Sequence, residues 1–485
     1  MNSLGKRNII DLTYYDTALI LACSNNMEEE ALALIATDNS KPEQVNSDGI
    51  TALILVCSNN MSEVALALIA TGNSKPEQVT EKRYTALIFA CKNNMEEVAL
   101  ALIKTGNSNP EQVNSYGGTA LIYACDNKMS DVALALIATG NSKPEQVTEK
   151  RYTALSIACD KKMSDVALAL IATDNSKPEQ VDDHDATALI SACSNNMSEV
   201  ALALIATGNS NPEQVDDHGA IALILACSNN MEEVALALIA TGNSNPEQVN
   251  SYGITALMHA CNNNMEEVAL ALIATGNSNP NHVNSDGSTA LIYACDKKMS
   301  DVALALIATD NSKPEQVDDH GITALILACS NNMSEVALAL IATGNSNPEQ
   351  VTENRNTALI FACHNKMSDV ALALIATDNS KPEQVTENRN TALIFACYNN
   401  MSKVALALIK TGNSKPEQVD DHGATALILA CSNNMSEVAL TLIAKGNSKP
   451  EQVNSDGITA LMHACNNNME EVISILTNTG NININ

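Results

Sequence analysis

The sequence predicts an all-α solenoid of about fourteen helix–turn–helix repeats joined by connecting loops. Three observations predict it. Fourteen cysteines recur at 34-residue intervals from Cys23 to Cys465, and a period of 20–50 residues marks a solenoid or array. The 485 residues are 45% hydrophobic but only 2% aromatic, with no Trp. The apolar content is therefore Ala, Leu, Ile and Val, not the large rings on which separate globular cores lean. Each interval holds two short apolar runs, of about 8–10 residues, that cannot bury a core alone. Stacking must supply the core, so stability is a sum of terms within repeats and between neighbours.

Counting from the Thr of Thr-Ala-Leu, repeats begin at residues 17, 51, 85, 119, 153, 187, 221, 255, 289, 323, 357, 391, 425 and 459, with Ile221 in place of Thr in the seventh. Residues 1–16 read as a partial repeat or N-terminal cap, and the last repeat as a C-terminal cap. Residues 51–84 illustrate the pattern. Thr51 is a natural N-cap for helix A, expected over Ala52 to Asn59. The pair Asn59-Asn60 makes a short turn. Helix B is expected from Ser62 to Thr71, with Glu63 in its first turn at the positive end of the dipole. Gly72 suits the left-handed position that ends a helix. Asp38, Asp174, Asp310 and Asp378 replace it in four repeats, and Asp tolerates that region better than most residues. Residues 73–84, with Pro76, carry the chain to the next repeat.

Charge narrows the partners. Lys and Arg number 27 against 56 Asp and Glu, a net −29. No basic field is available for a phosphate backbone or an anionic membrane surface, so nucleic acid and membranes are not expected as partners. Behind Lys6 and Arg7 there is no apolar stretch of signal-peptide type, and runs such as Val64 to Ala70 fall short of a membrane span. The expected setting is intracellular. Each cysteine follows Ala or Val in an apolar run, as Cys57 does. Helices stacked about 8–10 Å apart hold equivalent cysteines beyond disulfide reach. They read as reduced thiols used as small hydrophobes, and without Cys-x-x-Cys pairs no zinc site is expected.

The repeat resembles the ankyrin repeat. Asp48-Gly49-Ile50-Thr51-Ala52-Leu53, Val56-Cys57, Met61-Ser62-Glu63-Val64, Leu68-Ile69 and Gly72 follow that family's D-x-x-G-x-T-P-L-H-x-A-A, G-H-x-E-V-V, L-L-L and G-A-D. The likeness covers residues 17–485. The repeat has 34 residues instead of 33, Ala stands for the Pro of T-P-L-H, and Asn-Met for the G-H turn. A further departure is a Leu in thirteen repeats at a helix-B position that usually faces solvent in the family: Leu32, Leu66, Leu100 and onward to Leu440. Helix B is then apolar all round, which calls for burial. We expect the Pro-Glu-Gln-Val segment and neighbouring helices to cover this ladder; an exposed stripe for self-association is the alternative.

Fourteen copies in one frame show where the repeats differ. One variable place is the segment before each repeat, in three forms: Asn-Ser-Asp/Tyr-Gly, Thr-Glu-Lys/Asn-Arg and Asp-Asp-His-Gly/Asp. The other is the end of helix A, before Ala-Cys and after Cys. The resemblance implies that these are the loop tips and concave face, where partners bind. Candidate contacts are Lys82, Arg83, Tyr84, Lys92, Tyr116, Lys150, Arg151, Tyr152, His184, His218, Tyr252, His320, Arg355, His364, Arg389, Tyr398 and His422. Tyr and Arg are enriched among interface hot spots. Drift after recent duplication gives the same pattern.

The Asp-Asp-His tips have metal-ligand residue types, but neighbours in a loop point apart, and they read as solvated. No phosphate loop or nucleophile elbow occurs, and no unique catalytic constellation stands out. The sequence therefore predicts a non-enzymatic interaction scaffold without cofactor or metal. Its expected partner is a protein with basic segments, drawn by the acidic field. A self-assembling structural protein built on the Leu ladder is the alternative, and the oligomeric state stays open.

Overall fold

A computed structural model describes residues 17–37, 40–173, 175–309, 312–377 and 379–480. The proposed cap at 1–16 and the four Asp residues at the Gly72 position lie outside the described residues. Two compact halves are present, Met1–Ser244 and Asn245–Asn485. Among the described residues, each contains seven helix pairs. Within each half, helix A packs on its own helix B and on helix A of the next repeat, and successive B helices also pack together.

The second repeat shows why these residues form these elements. Helix A runs Ala52–Ser58 and helix B Ser62–Ala70, each one residue shorter than expected. Thr51 Oγ1 accepts from the Ile54 N–H at 3.3 Å. The same cap recurs at Thr85 and Thr323, but Ile221 offers none. Asn60 takes φ 61°, and Lys128, Lys162, Lys298 and Lys366 take the same left-handed turn in other repeats. No side chain caps helix B. Met61 stands at that junction and is buried instead, plugging the turn with apolar surface. Gly72 has φ 75°, and a Cβ there would meet nothing within 4 Å, so the residue is chosen for backbone conformation alone.

The core is thin and repeated. Ala52, Leu53, Ile54, Val56 and Cys57 of helix A pack with Val64, Ala65 and Leu68 of helix B. Thirteen cysteines are buried free thiols, and Cys465 is exposed. Burial pushes the Cys23, Cys125, Cys193, Cys261 and Cys431 thiols up to about 12, and raises Cys57, Cys329 and Cys363 in the same way. The ladder leucines are neither sealed nor laid bare. Leu66, Leu100 and Leu134 are half-buried, and Leu338 is 37% exposed.

Two side-chain ladders stitch neighbours together, and neither follows from the repeat pattern alone. The first Asn of the turn reaches back one repeat: Asn93 Nδ2 donates to Cys57 O at 2.8 Å and Ser58 O at 3.1 Å. Asn127, Asn365 and Asn433 do the same. They satisfy carbonyls that a helix end leaves open. The Gln of Pro-Glu-Gln-Val also works between repeats. Gln78 Nε2 donates to Gly49 O at 3.0 Å, and Gln350 and Gln418 repeat the bond to Gly321 and Arg389.

Candidate functional site

The three loop forms share one conformation. The first residue, Asn, Thr or Asp, turns its side-chain oxygen onto the backbone N–H four residues on. Asn46 holds Ile50, Thr80 holds Tyr84, and Asp182 holds Ala186. The fourth residue has positive φ: Gly49 at 72°, Asp185 at 58°, and Arg83, Arg151, Arg355 and Arg389 at 62–66°. Arginine thus sits where glycine carries no Cβ penalty, at a strain of about 1–2 kcal/mol. Tips are tied tip to tip. Ser115 N–H donates to Lys82 O, Glu149 to Tyr116 O and Asp217 to His184 O, at 3.1–3.3 Å.

Most predicted contact residues are on the surface. Lys82, Arg83, Lys92, Lys150, Arg151, His184, His218, His320, Arg355, His364, Arg389 and His422 are exposed. Tyr116, Tyr252 and Tyr398 are 45%, 65% and 66% exposed. Two tyrosines differ from a tip contact. Tyr152 is half-buried. Tyr84 is buried at 6% exposure, stacked on Phe89 at 4.7 Å between ring centroids, because the residue before each Thr turns inward under the tip.

The tips and helix-A ends gather the predicted residues into local clusters. Around repeats 3 to 5, Tyr116 and Tyr123 are shared by two adjoining cavities of about 550 and 820 Å³. Tyr123 Oη accepts from Asn114 Nδ2 at 3.0 Å and shares a hydrogen bond with Tyr84. Burial raises its phenol above the usual range. Gly118 leaves room for this ring, since a Cβ there would lie 2.8 Å from it. Lys92 Nζ lies 5.2 Å from the Tyr84 ring centroid, in cation–π range. Lys161 pairs with Asp126 at 3.0 Å. Phe89 and Tyr123 lie outside the predicted contacts, yet they occupy the variable position before Ala-Cys.

The next tips are acidic. Arg151 donates to Asp182 O and to Asp185 Oδ1, the latter at 2.8 Å. His184 Nδ1 lies 3.1 Å from Asp217 Oδ2, and His218 Nε2 3.5 Å from Asp217 Oδ1. The Asp217 hydrogen bond, with Asp183 nearby, raises the His184 imidazole above its ordinary value. Among the described residues, no group of three or more His, Cys, Asp or Glu is placed to hold a metal ion. In the second half, His364 meets Phe395 edge-on at 5.1 Å, beside a cavity of about 370 Å³ lined by Phe361 and Asn388.

These features define a class: stacked helix pairs that present grooves between loop tips and helix-A ends. The ankyrin-repeat family model, in blocks of three copies, matches residues 72–146, 155–246, 223–318, 308–386 and 378–451. The chain belongs to the ankyrin repeat family. No curated protein matches its sequence significantly. Ankyrin repeats are in general protein-interaction modules, and in general non-enzymatic. Among the described residues, no helix is long and apolar enough to cross a membrane.

Proposed function

We propose that this chain is a non-enzymatic scaffold or adaptor that binds a protein partner along its loop tips and the adjoining helix-A face. The observation that carries the reading is the clustering of exposed Tyr, Arg, Lys and His side chains on tips whose backbones are tied together by hydrogen bonds. A prepaid backbone lowers the ordering cost of binding. The net −29 favours basic partner segments over most of the chain's length and speeds their approach. An intracellular setting suits fourteen free cysteines. The test is quantitative partner capture with the wild-type chain and with a variant carrying Tyr252→Ala, Arg355→Ala, Arg389→Ala and Tyr398→Ala. The reading expects at least one partner to be retained by the wild type and lost by the variant. Identical capture by the two chains counts against it.

A second reading, self-assembly through the helix-B ladder, is favoured by the half-buried leucines and by Leu338 in particular. A mass that rises with concentration in light scattering supports this reading, and a concentration-independent monomer removes it.

A further inference from the structure

We infer that the groove across repeats 11 and 12 is a docking site for a proline-rich segment in the polyproline II conformation that ends in a basic residue. The inference rests on the scaffold reading and deepens it, by naming the partner's chemistry and the place where it binds.

Four observations carry it. Repetition is the first. Residues 352–363 and 386–397 are identical in sequence, and both copies line one cavity of about 370 Å³. Asn354 and Asn388, Asn356 and Asn390, and Phe361 and Phe395 border it as equivalent pairs one repeat apart. Both phenyl rings are half-buried. A groove that repeats in this way is matched by an occupant that repeats with the same step.

The length of that step is the second. Helix A of repeat 11, Ala358–His364, packs on helix A of repeat 12, Ala392–Tyr398, and packed helices lie about 8–10 Å apart. A polyproline II chain rises about 3.1 Å per residue with three residues per turn, so residues i and i+3 share one side about 9.3 Å apart. One turn of the occupant therefore spans the two phenyl rings. In a β-strand, residues on one face lie about 6.6 or 13 Å apart, and neither spacing fits. An α-helix is about 10–12 Å across, too wide for a cavity of this volume.

Hydrogen bonding is the third. Asn390 Nδ2 donates to Asn388 O at 3.2 Å, but the side-chain amides of Asn354, Asn356 and Asn388 have no hydrogen-bond partner among the described residues. Each amide offers two N–H donors. A polyproline II chain makes no internal hydrogen bonds, so its carbonyls are open to them, and proline has no N–H that would need an acceptor. Helical backbone carbonyls are already engaged. Aromatic rings receive the proline rings of such a segment, and its preformed backbone lowers the ordering cost of binding.

Charge is the fourth. Among the described residues, Glu387 is the one residue of fixed charge that lines the cavity, and it makes no ion pair there. Each tip otherwise balances, Glu353 with Arg355 and Glu387 with Arg389, and the arginines lie outside the lining. An Arg or Lys at the end of the segment is therefore attracted to Glu387, and an acid in its place is repelled.

The test uses the full chain and three fluorescein-labelled decapeptides, read by fluorescence anisotropy. One has three Pro-Pro-Leu units followed by Arg. The second ends in Glu instead, and the third keeps the Arg but has Ser in place of each Pro. The proline peptide with Arg is expected to bind most tightly. Phe395→Ala, and Asn354→Ala combined with Asn388→Ala, should each weaken it by about tenfold. Glu387→Arg should reverse the preference, so that the Glu peptide binds more tightly than the Arg peptide. Tyr252→Ala should leave binding unchanged. Asn354, Asn388 and Glu387 are exposed, so their variants test the site even where circular dichroism shows that Phe395→Ala costs stability. A Ser peptide that binds as tightly as the proline peptide overturns the inference. Equal binding of the Arg peptide to wild type and to the double Asn variant overturns the location. A wild-type chain without preference for Arg over Glu, or a Glu387→Arg chain that keeps the wild-type preference, overturns the charge complementarity on which the inference stands. Failure of all three peptides to bind overturns the inference alone, because partner capture decides the scaffold reading separately.

Discussion

Raising the pH from 7.5 to 9.5 should destabilise this chain, and the reason is its thiols. Burial raises the pKa of twelve cysteines, among them Cys125 and Cys193 at about 12 and Cys57, Cys91 and Cys397 in the same direction. In the unfolded chain a thiol titrates near 8.5. Above that pH the unfolded state sheds protons that the folded state retains, so stability falls as pH rises. Below it both states are protonated and the contribution is fully present. From pH 7.5 to 9.5 each such thiol costs about 1.4 kcal/mol, and twelve cost about 16 kcal/mol together. Taken per repeat, about 1.4 kcal/mol is a sizeable part of the roughly 2–5 kcal/mol that 34 residues contribute at about 0.05–0.15 kcal/mol each. Tyr and Lys titrate near 10 and above, so the window belongs to the thiols. The assay is urea unfolding followed by circular dichroism, under reducing conditions, at half-unit pH steps. The midpoint should hold steady to about pH 8 and then drop steeply. The combined variant Cys329→Ala, Cys363→Ala, Cys397→Ala should lose about a quarter of the pH slope. A wild-type midpoint unchanged between pH 7.5 and 9.5 would refute the reasoning.

Three further outcomes are expected. A thiol reagent at pH 7.5 should label Cys465 rapidly, since it is the exposed cysteine, and label the others only on adding denaturant; mass spectrometry of the labelled peptides checks this. Asn93→Ala removes two inter-repeat hydrogen bonds, of 2.8 and 3.1 Å, each worth about 0.5–1.5 kcal/mol. Amide exchange in helix A of repeats 2 and 3 should accelerate about 5–150-fold, with repeats 5 and 6 unchanged. Gly344→Ala, at φ 74° with nothing within 4 Å of the added methyl, should destabilise the end of its helix B by about 1 kcal/mol, whereas Ala342→Gly in the same helix acts through propensity and should cost about as much; exchange at helix B measures both.

The repeat frame was readable because its signals are local or strictly periodic. Thr51 before an apolar run, Asn59-Asn60 between two runs and Gly72 after the second place each helix within a residue of where it lies. The variable positions also pointed to the tips and helix-A ends that line the grooves. Reading by residue type nevertheless favoured Tyr84, which is buried, and passed over Phe89 and Tyr123. A loop residue's exposure depends on which way its backbone turns under the neighbouring tip.

The sequence by itself determined the period, the helix pairs, the thin Ala-Leu-Cys core and the membership in an ankyrin-type array. Each follows from propensity, capping or burial within some ten residues. Only the tertiary structure decided what the polar frame residues do. Asn93 and Gln78 bond to atoms 36 and 29 residues away, and Tyr84 and Tyr123 converge from successive repeats on one groove. A 34-residue period brings such residues together only after stacking fixes the offset between repeats. That offset is set by the packing of whole helices, which no short window of sequence contains.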